Sequence, residues 1–300
     1  MPIRTFPGVP IDILRQIFEF ASASSVATGL SLTLVSTHVR HWTLPIVYRN
    51  VVLSSSRAVT LFLETITSSA APRLAPVVPL CNRVKNLGIF ALGPLPSIEK
   101  VISMCDNVES LACGFSLHTY LLSHHHTLLS HVAYEKHFLG PSCRDGIPFH
   151  LISPQTTHIH VQLSLEDFHF IAEIHNYVSA ITHLAVSIPL NPERSVEIID
   201  STISALLDGR NVSLEVLLIQ VMGSKGSEIA EDINARNKAR IQLAGDRDGF
   251  RLLAIRAPAS VVQQWGKSAM SSVDLWVNAE SEANQKRRRS PESRCDLGNY

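Results

Sequence analysis

The sequence predicts a mixed α/β fold: a short N-terminal helical module, then an irregular solenoid of short parallel strands and helices. Two patterns predict it. Between residues 10 and 42 apolar side chains recur at helical spacing. From residue 84 the chain repeats a unit written apolar-x-x-apolar-x-apolar, with helix-like stretches between the copies. With 45% apolar residues in 300, it can bury a sizeable core.

Pro10 suits the first turn of a helix. Ile11, Leu14 and Phe18, widened by Ile13, Ile17 and Phe20, make that helix amphipathic to about Ala21. Ser22 to Gly29 is small and polar, a loop or a helix start. Leu32, Val35, Val39 and Trp42 then share one helical face, and Pro45 ends or kinks that helix. The apolar turn Ile46-Val47-Tyr48 leads to Val51-Val52-Leu53. A core this small supplies only ~3–5 kcal/mol. The module therefore leans on the rest of the chain or completes its packing on a partner. Residues 56–70 read as another helix, with Ser56 as N-cap and Val59, Phe62, Leu63 and Ile66 as its stripe. A proline-rich connector, Ala71 to Pro79, follows.

The repeated unit begins at Val84-Lys85-Asn86-Leu87-Gly88-Ile89. Its central residues are Leu87, Leu111, Val132, Ile159, Leu184, Leu217, Leu253 and Leu275. The third copy is Leu129-Ser130-His131-Val132-Ala133-Tyr134, and the last spans 272–277. Helix-like segments lie between them at 98–104, 165–178, 196–207, 229–243 and 260–270. A strand then a helix every ~20–29 residues resembles the leucine-rich-repeat arrangement, with insertions where the spacing is longer. Stacked units cover one another's inner side chains and leave a concave strand face suited to binding another protein. An ordinary α/β sheet of alternating elements is the other reading of the same pattern. Residues 278–300 are polar and charged and read as a disordered tail. The expected organisation is a helical module over 1–55, the repeat region over 56–277 and the tail over 278–300.

Charge is balanced at 26 basic and 26 acidic residues, which gives no push toward nucleic acid or a membrane surface. Five cysteines without a CxxC pair point to a reducing compartment. No signal-peptide core and no apolar run near the ~18–20 residues of a span occur. An intracellular protein of the cytoplasm or nucleus is expected. Gly223-Ser224-Lys225-Gly226 lacks the spacing of a phosphate loop. Glu166-Asp167 and Glu231-Asp232 fall at helix starts or surfaces, where they complement the helix dipole. His124-His125-His126 reads as a solvated turn, since consecutive side chains diverge and do not share one ion. His158, His160 and His183 fall on strands, as ordinary repeat positions or as pH-sensitive contacts. No catalytic residue, cofactor or metal is expected. Lys286-Arg287-Arg288-Arg289 ahead of Ser290-Pro291 reads as part of the solvated tail, as a nuclear import signal or as a phosphorylation site at Ser290.

The first module resembles an F-box. Phe6-Pro7-Gly8-Val9-Pro10-Ile11-Asp12-Ile13-Leu14-Arg15-Gln16-Ile17-Phe18 looks like its opening, with Val9 in place of the usual leucine before the proline. Leu34-Val35-Ser36-Thr37-His38-Val39-Arg40 looks like the core of its second half, and Pro45-Ile46-Val47-Tyr48 like its closing turn. The segment Ala21 to Gly29 departs from the motif, because it lacks the Asp-Leu step common between the first two helices. The whole passage is similar to F-box-like proteins of mushroom-forming fungi, in which degenerate leucine-rich repeats follow. The resemblance implies a non-catalytic substrate receptor of a Skp–cullin–F-box ubiquitin ligase. Its F-box would bind a Skp-type adaptor and through it a cullin, and its repeats would hold a protein target. Pro10, Leu14, Ile17, Leu32, Val35, Val39 and Trp42 would supply adaptor contact or the module's own core. The alternative is a non-enzymatic repeat protein in which this segment is only a structural cap.

Overall fold

The computed structural model describes residues 8–68, 79–91, 93–140, 147–189, 196–208, 213–243, 251–270 and 275–288. Three helices open it: α1 (Ile11–Ser24), α2 (Val26–Leu32) and α3 (Thr37–Val47). Pro10 precedes the first turn of α1. The single helix expected around Leu32–Trp42 is instead broken between α2 and α3. The cause is local: Ser36 is extended, and its Oγ accepts from the Val39 N–H at 3.2 Å, which starts a new helix. Ser25 caps α2 in the same way. Pro45 sits in the last turns of α3, which ends at Val47.

The chain then alternates. β1 (Asn50–Leu53), α4 (Ser56–Thr67), β2 (Asn86–Ile89), α5 (Leu95–Met104) and β3 (Ser110–Cys113) come first. Two short helices, α6 (Leu117–Leu122) and α7 (Thr127–Ser130), lead to β4 (Glu135–Phe138) and β5 (His158–Gln162). A 3-10 turn (Phe168–Glu173) runs into α8 (Ile174–Tyr177). Then follow β6 (His183–Pro189), α9 (Val196–Asp208), β7 (Val216–Met222), α10 (Gly226–Leu243) and β8 (Arg251–Arg256). The described chain closes with α11 (Val261–Met270) and α12 (Leu275–Arg288).

All eight strands form one sheet in the order β1 to β8, each parallel to the next. Parallel neighbours need a crossover, and the intervening helices supply it on one side. One row across the sheet reads Val51, Leu87, Leu111, Lys136, Ile159, Leu184, Leu217, Leu252. That row and the one two residues on point into the main core. There they meet Val59 and Phe62 of α4, Ile98 and Ile102 of α5, Ile199 and Ile203 of α9 and Ile233 of α10.

Several expectations are corrected. Leu129–Tyr134 is not a strand: Leu129 ends in α7, and the third repeat strand lies four residues later, at β4. The central residue of β8 is Leu252, not Leu253. Leu275 opens α12 and does not centre a strand; residues 271–274 lie outside the described residues. Asn50–Leu53 is a strand of the sheet, so the helical module gives way to the sheet before residue 55. The tail beyond Asn278 is helical to Arg288, while Arg289 to Tyr300, with Ser290, lies outside the described residues. So does most of the proline-rich connector, residues 71–78. Ser55, not Ser56, caps α4, its Oγ accepting from the Ala58 N–H at 3.1 Å.

Candidate functional site

Two surfaces gather residues with chemistry to offer. The first is the N-terminal helical unit. About half of the large exposed apolar side chains among the described residues fall between Val9 and Val35. Phe20 is 81% exposed and Leu34 85%; Ile11, Ile13, Ile17, Val26, Leu30 and Val35 are also exposed. Of the residues expected to serve docking, Pro10, Ile17 and Val35 are exposed, and Leu14, Leu32 and Trp42 are half-buried. Val39 is 6% exposed and serves the interior of the module. Trp42 packs at 6.4 Å, ring to ring, against Phe18 of α1, and so ties α1 to α3. Phe20, Leu30 and Leu34 join this exposed set without being expected to serve docking. Phe20 lay on the widened stripe of α1, which was the available signal. Leu34 is turned outward by the break between α2 and α3, which the helical reading did not contain.

The second surface is the sheet face opposite the main core. Its rows run Asn50, Asn86, Ser110, Glu135, His158, His183, Val216, Arg251 and, two residues on, Val52, Gly88, Ala112, His137, His160, Ala185, Leu218, Leu253. The expected histidines are therefore neighbours across strands. His158 and His183 stack at 4.1 Å between ring centroids, and Trp276 of α12 stands edge-on to both. The Trp276 indole N–H donates to Glu135 Oε1 at 2.6 Å, and His137 Nε2 lies 2.8 Å from the same oxygen. His137 and His160 approach through their Nδ1 atoms at 3.4 Å. His160 Nε2 meets Ser187 Oγ at 2.9 Å, and Ser187 donates to Gln220 Oε1 at 2.8 Å. Gln220 Nε2 in turn donates to Gln264 Oε1 of α11 at 3.1 Å.

Burial sets the protonation states here. Burial, then the neighbouring His183, pushes His158 down to about 4. Burial, then His137, pushes His160 down to about 3. Burial opposes the charge on Glu135, but His137 beside it and hydrogen bonds from Trp276 and Ser110 hold its carboxyl at about 2. The row from Glu135 through His137 and His160 to Ser187 has the residue types of an acid–base relay. Ser187 and Gln220 are fully buried, however, and the row ends on side chains of α11 and α12. Its evident effect is to hold those two helices against the sheet.

Elsewhere the polar candidates are locally spent. His125 Nδ1 pairs with Glu99 Oε2, and His124 takes a positive φ of 60° in the turn after α6. Ser164 Oγ donates to Asp167 Oδ2 at 2.8 Å, and Asp232 pairs with Arg236 one turn on. Cys81, Cys105 and Cys113 are buried; Cys143 and Cys295 lie outside the described residues. Among the described residues no three His, Cys, Asp or Glu side chains converge as a metal site, and no helix is long and apolar enough to cross a membrane. No protein-family model matches the chain, and no curated protein matches it.

Proposed function

We propose that this chain is the receptor subunit of a Skp–cullin–F-box type ubiquitin ligase, with α1–α3 as an F-box-like module and the sheet region as a degenerate leucine-rich-repeat array that holds a protein target. The observation that carries the reading is the apolar exposure of α1–α3. Leu34, Phe20, Val35 and Ile17 face water in the chain by itself. Soluble proteins seldom concentrate large apolar side chains on one small unit unless a partner covers them. The sequential parallel sheet supports the second half, because each unit covers only its neighbours, as in repeat arrays. The receptor makes and breaks no bond. It raises the concentration of its target beside the ubiquitin-charged enzyme. On this reading it works in the cytoplasm or the nucleus.

A second reading rests on a different observation. α3 runs through Tyr48, stacked on Phe62 of α4 at 6.4 Å, directly into the edge strand β1. The helices then serve as a cap on the first unit. One experiment separates the two. The purified full chain is titrated with a Skp-type adaptor beside Leu34→Asp and Val35→Asp variants. Binding near ~1 µM or tighter, lost at least ~10-fold in the variants, supports docking. No binding of the folded chain at ~10 µM leaves the cap.

A further inference from the structure

The sheet has two edges, and the chain treats them differently. At β8 the Arg251 N–H donates to the Glu215 carbonyl at 2.7 Å and the Ala257 N–H to the Val221 carbonyl at 2.8 Å. Backbone groups alternate in direction along a strand, so Ala254 faces away from β7. Asn234 of α10 takes both of its groups: Oδ1 accepts from the Ala254 N–H and Nδ2 donates to the Ala254 carbonyl, each at 2.8 Å. One side-chain amide stands in for the strand that would follow. An unpaired edge invites another chain, and this one is closed from within.

β1 has no such plug. The Arg49 and Leu53 carbonyls accept from the Asn86 and Phe90 N–H groups at 3.0 and 2.9 Å, so Val52 turns its N–H and C=O away from β2. Among the described residues nothing bonds to these two groups, and Val52 is 50% exposed. The surroundings are cationic, in a chain whose overall charge is balanced. No Asp or Glu stands between Glu19 and Glu64, while Arg40, Arg49 and Arg57 do. None stands between Asp248 and Asp274, the stretch that holds α11 and its Lys267. Arg49 and Arg57 bracket β1, and Lys267 shares with Arg49 an open cleft of about 1120 Å³ beside Asn50. All three cations are exposed, and among the described residues none of them has an ion-pair partner.

We propose that the free edge of β1 is a strand-addition site, and that its occupant is an extended segment of another protein with acidic residues at both ends. Main-chain hydrogen bonds to Val52 seat that segment beside β1, and bonds of this kind read no sequence by themselves. The charges make the selection. Arg49 and Lys267 at the start of β1, and Arg57 just past its end, attract carboxylates and repel basic segments. A strand of four residues offers few backbone bonds, so affinity is modest and falls as salt screens the exposed cations. The site needs none of the exposed apolar side chains of α1–α3 and no adaptor.

The test titrates the full chain with a fluorescein-labelled peptide, Asp-Glu-Val-Thr-Val-Thr-Val-Glu-Asp. Wild type should bind it at ~100 µM or tighter, and no binding at ~1 mM overturns the proposal. Val52→Pro removes an N–H that the sheet leaves unbonded and should weaken binding at least ~10-fold. Arg49→Ala combined with Arg57→Ala should do the same, and a peptide with lysine at every acidic position should bind at least ~10-fold more weakly. Binding that survives Val52→Pro, or that the lysine peptide matches, overturns the proposal. If Val52→Pro does not fold, the peptide tests the same bonds from its own side. N-methylation of one alternate set of its amides should cost at least ~10-fold and of the other set little, because only one set faces β1. Equal effects of the two sets overturn strand addition. No adaptor enters the experiment, so a failure here and a failure of adaptor docking are told apart.

Discussion

Lys136 stands where every other strand of the sheet places an aliphatic side chain, and it is 1% exposed. Its stem fills the row, and its amine donates to the Leu128 carbonyl at 3.0 Å and to the Leu129 carbonyl, at the end of α7. Burial pushes its pKa down to about 7. Between that value and the ordinary 10.5, the unfolded chain holds a proton that the folded chain has released. Stability therefore rises with pH across this window. Lys136→Met keeps the stem and removes the ionisation. Its denaturation midpoint should rise less than that of wild type between pH 7 and 10, and equal slopes would refute the account. The histidines act with the same sign at lower pH. His158 and His160, at about 4 and 3 when folded, take up protons in the unfolded chain from pH 6.5 downward. Stability is lost as pH falls through that range, and the falling Glu135 contribution, between 4.5 and 2, adds to the loss. Thermal melts between pH 7 and 4 should show a smaller loss in His160→Gln than in wild type.

At the scale of elements, what could be read in the sequence depended on whether a segment's neighbours are local. α1, α4 and α5 show their stripes because a helix declares its buried face within two turns. Strands β2, β3, β5, β6 and β7 were legible from one apolar row. β4 was not, because its unit is Ala133-x-x-Lys136-x-Phe138 and a lysine occupies the central place. β1 follows the same unit, Tyr48-x-x-Val51-x-Leu53, but was read as the end of the helical module. The break at Ser36 lay in one side-chain hydrogen bond, which periodicity does not register. Ser36→Ala should cost about 1 kcal/mol in denaturant unfolding, through the lost cap of α3. α12 was hidden for another reason. Its sequence is largely polar because only Leu275, Trp276, Ala279 and Ala283 bring apolar groups to the sheet, onto Val216, Leu218 and Leu253 beside the histidines, so its partners are visible only once the sheet exists. The histidines of β5 and β6 were legible as strand residues, while the indole that clamps them was not.

At the scale of the whole molecule, α1–α3 and the eight-stranded sheet occupy successive parts of the chain. The exposed side chains of α1–α3 contribute little to folding where they face water. Phe20→Asp and Leu34→Asp should each leave stability within ~0.5 kcal/mol of wild type in urea unfolding, even as they abolish adaptor binding. A larger loss would mean that these residues are covered within the chain. The strand order has one more consequence. Each strand pairs with the one made just before it, whereas Trp265 and Trp276 bond to residues 155 and 141 positions upstream. During synthesis the sheet can therefore assemble strand by strand while α11 and α12 are still inside the ribosome. The histidine-bearing face, with Val216, Leu218 and Leu253 on it, is bare for as long as that takes, and its apolar side chains are the last of the sheet to be covered.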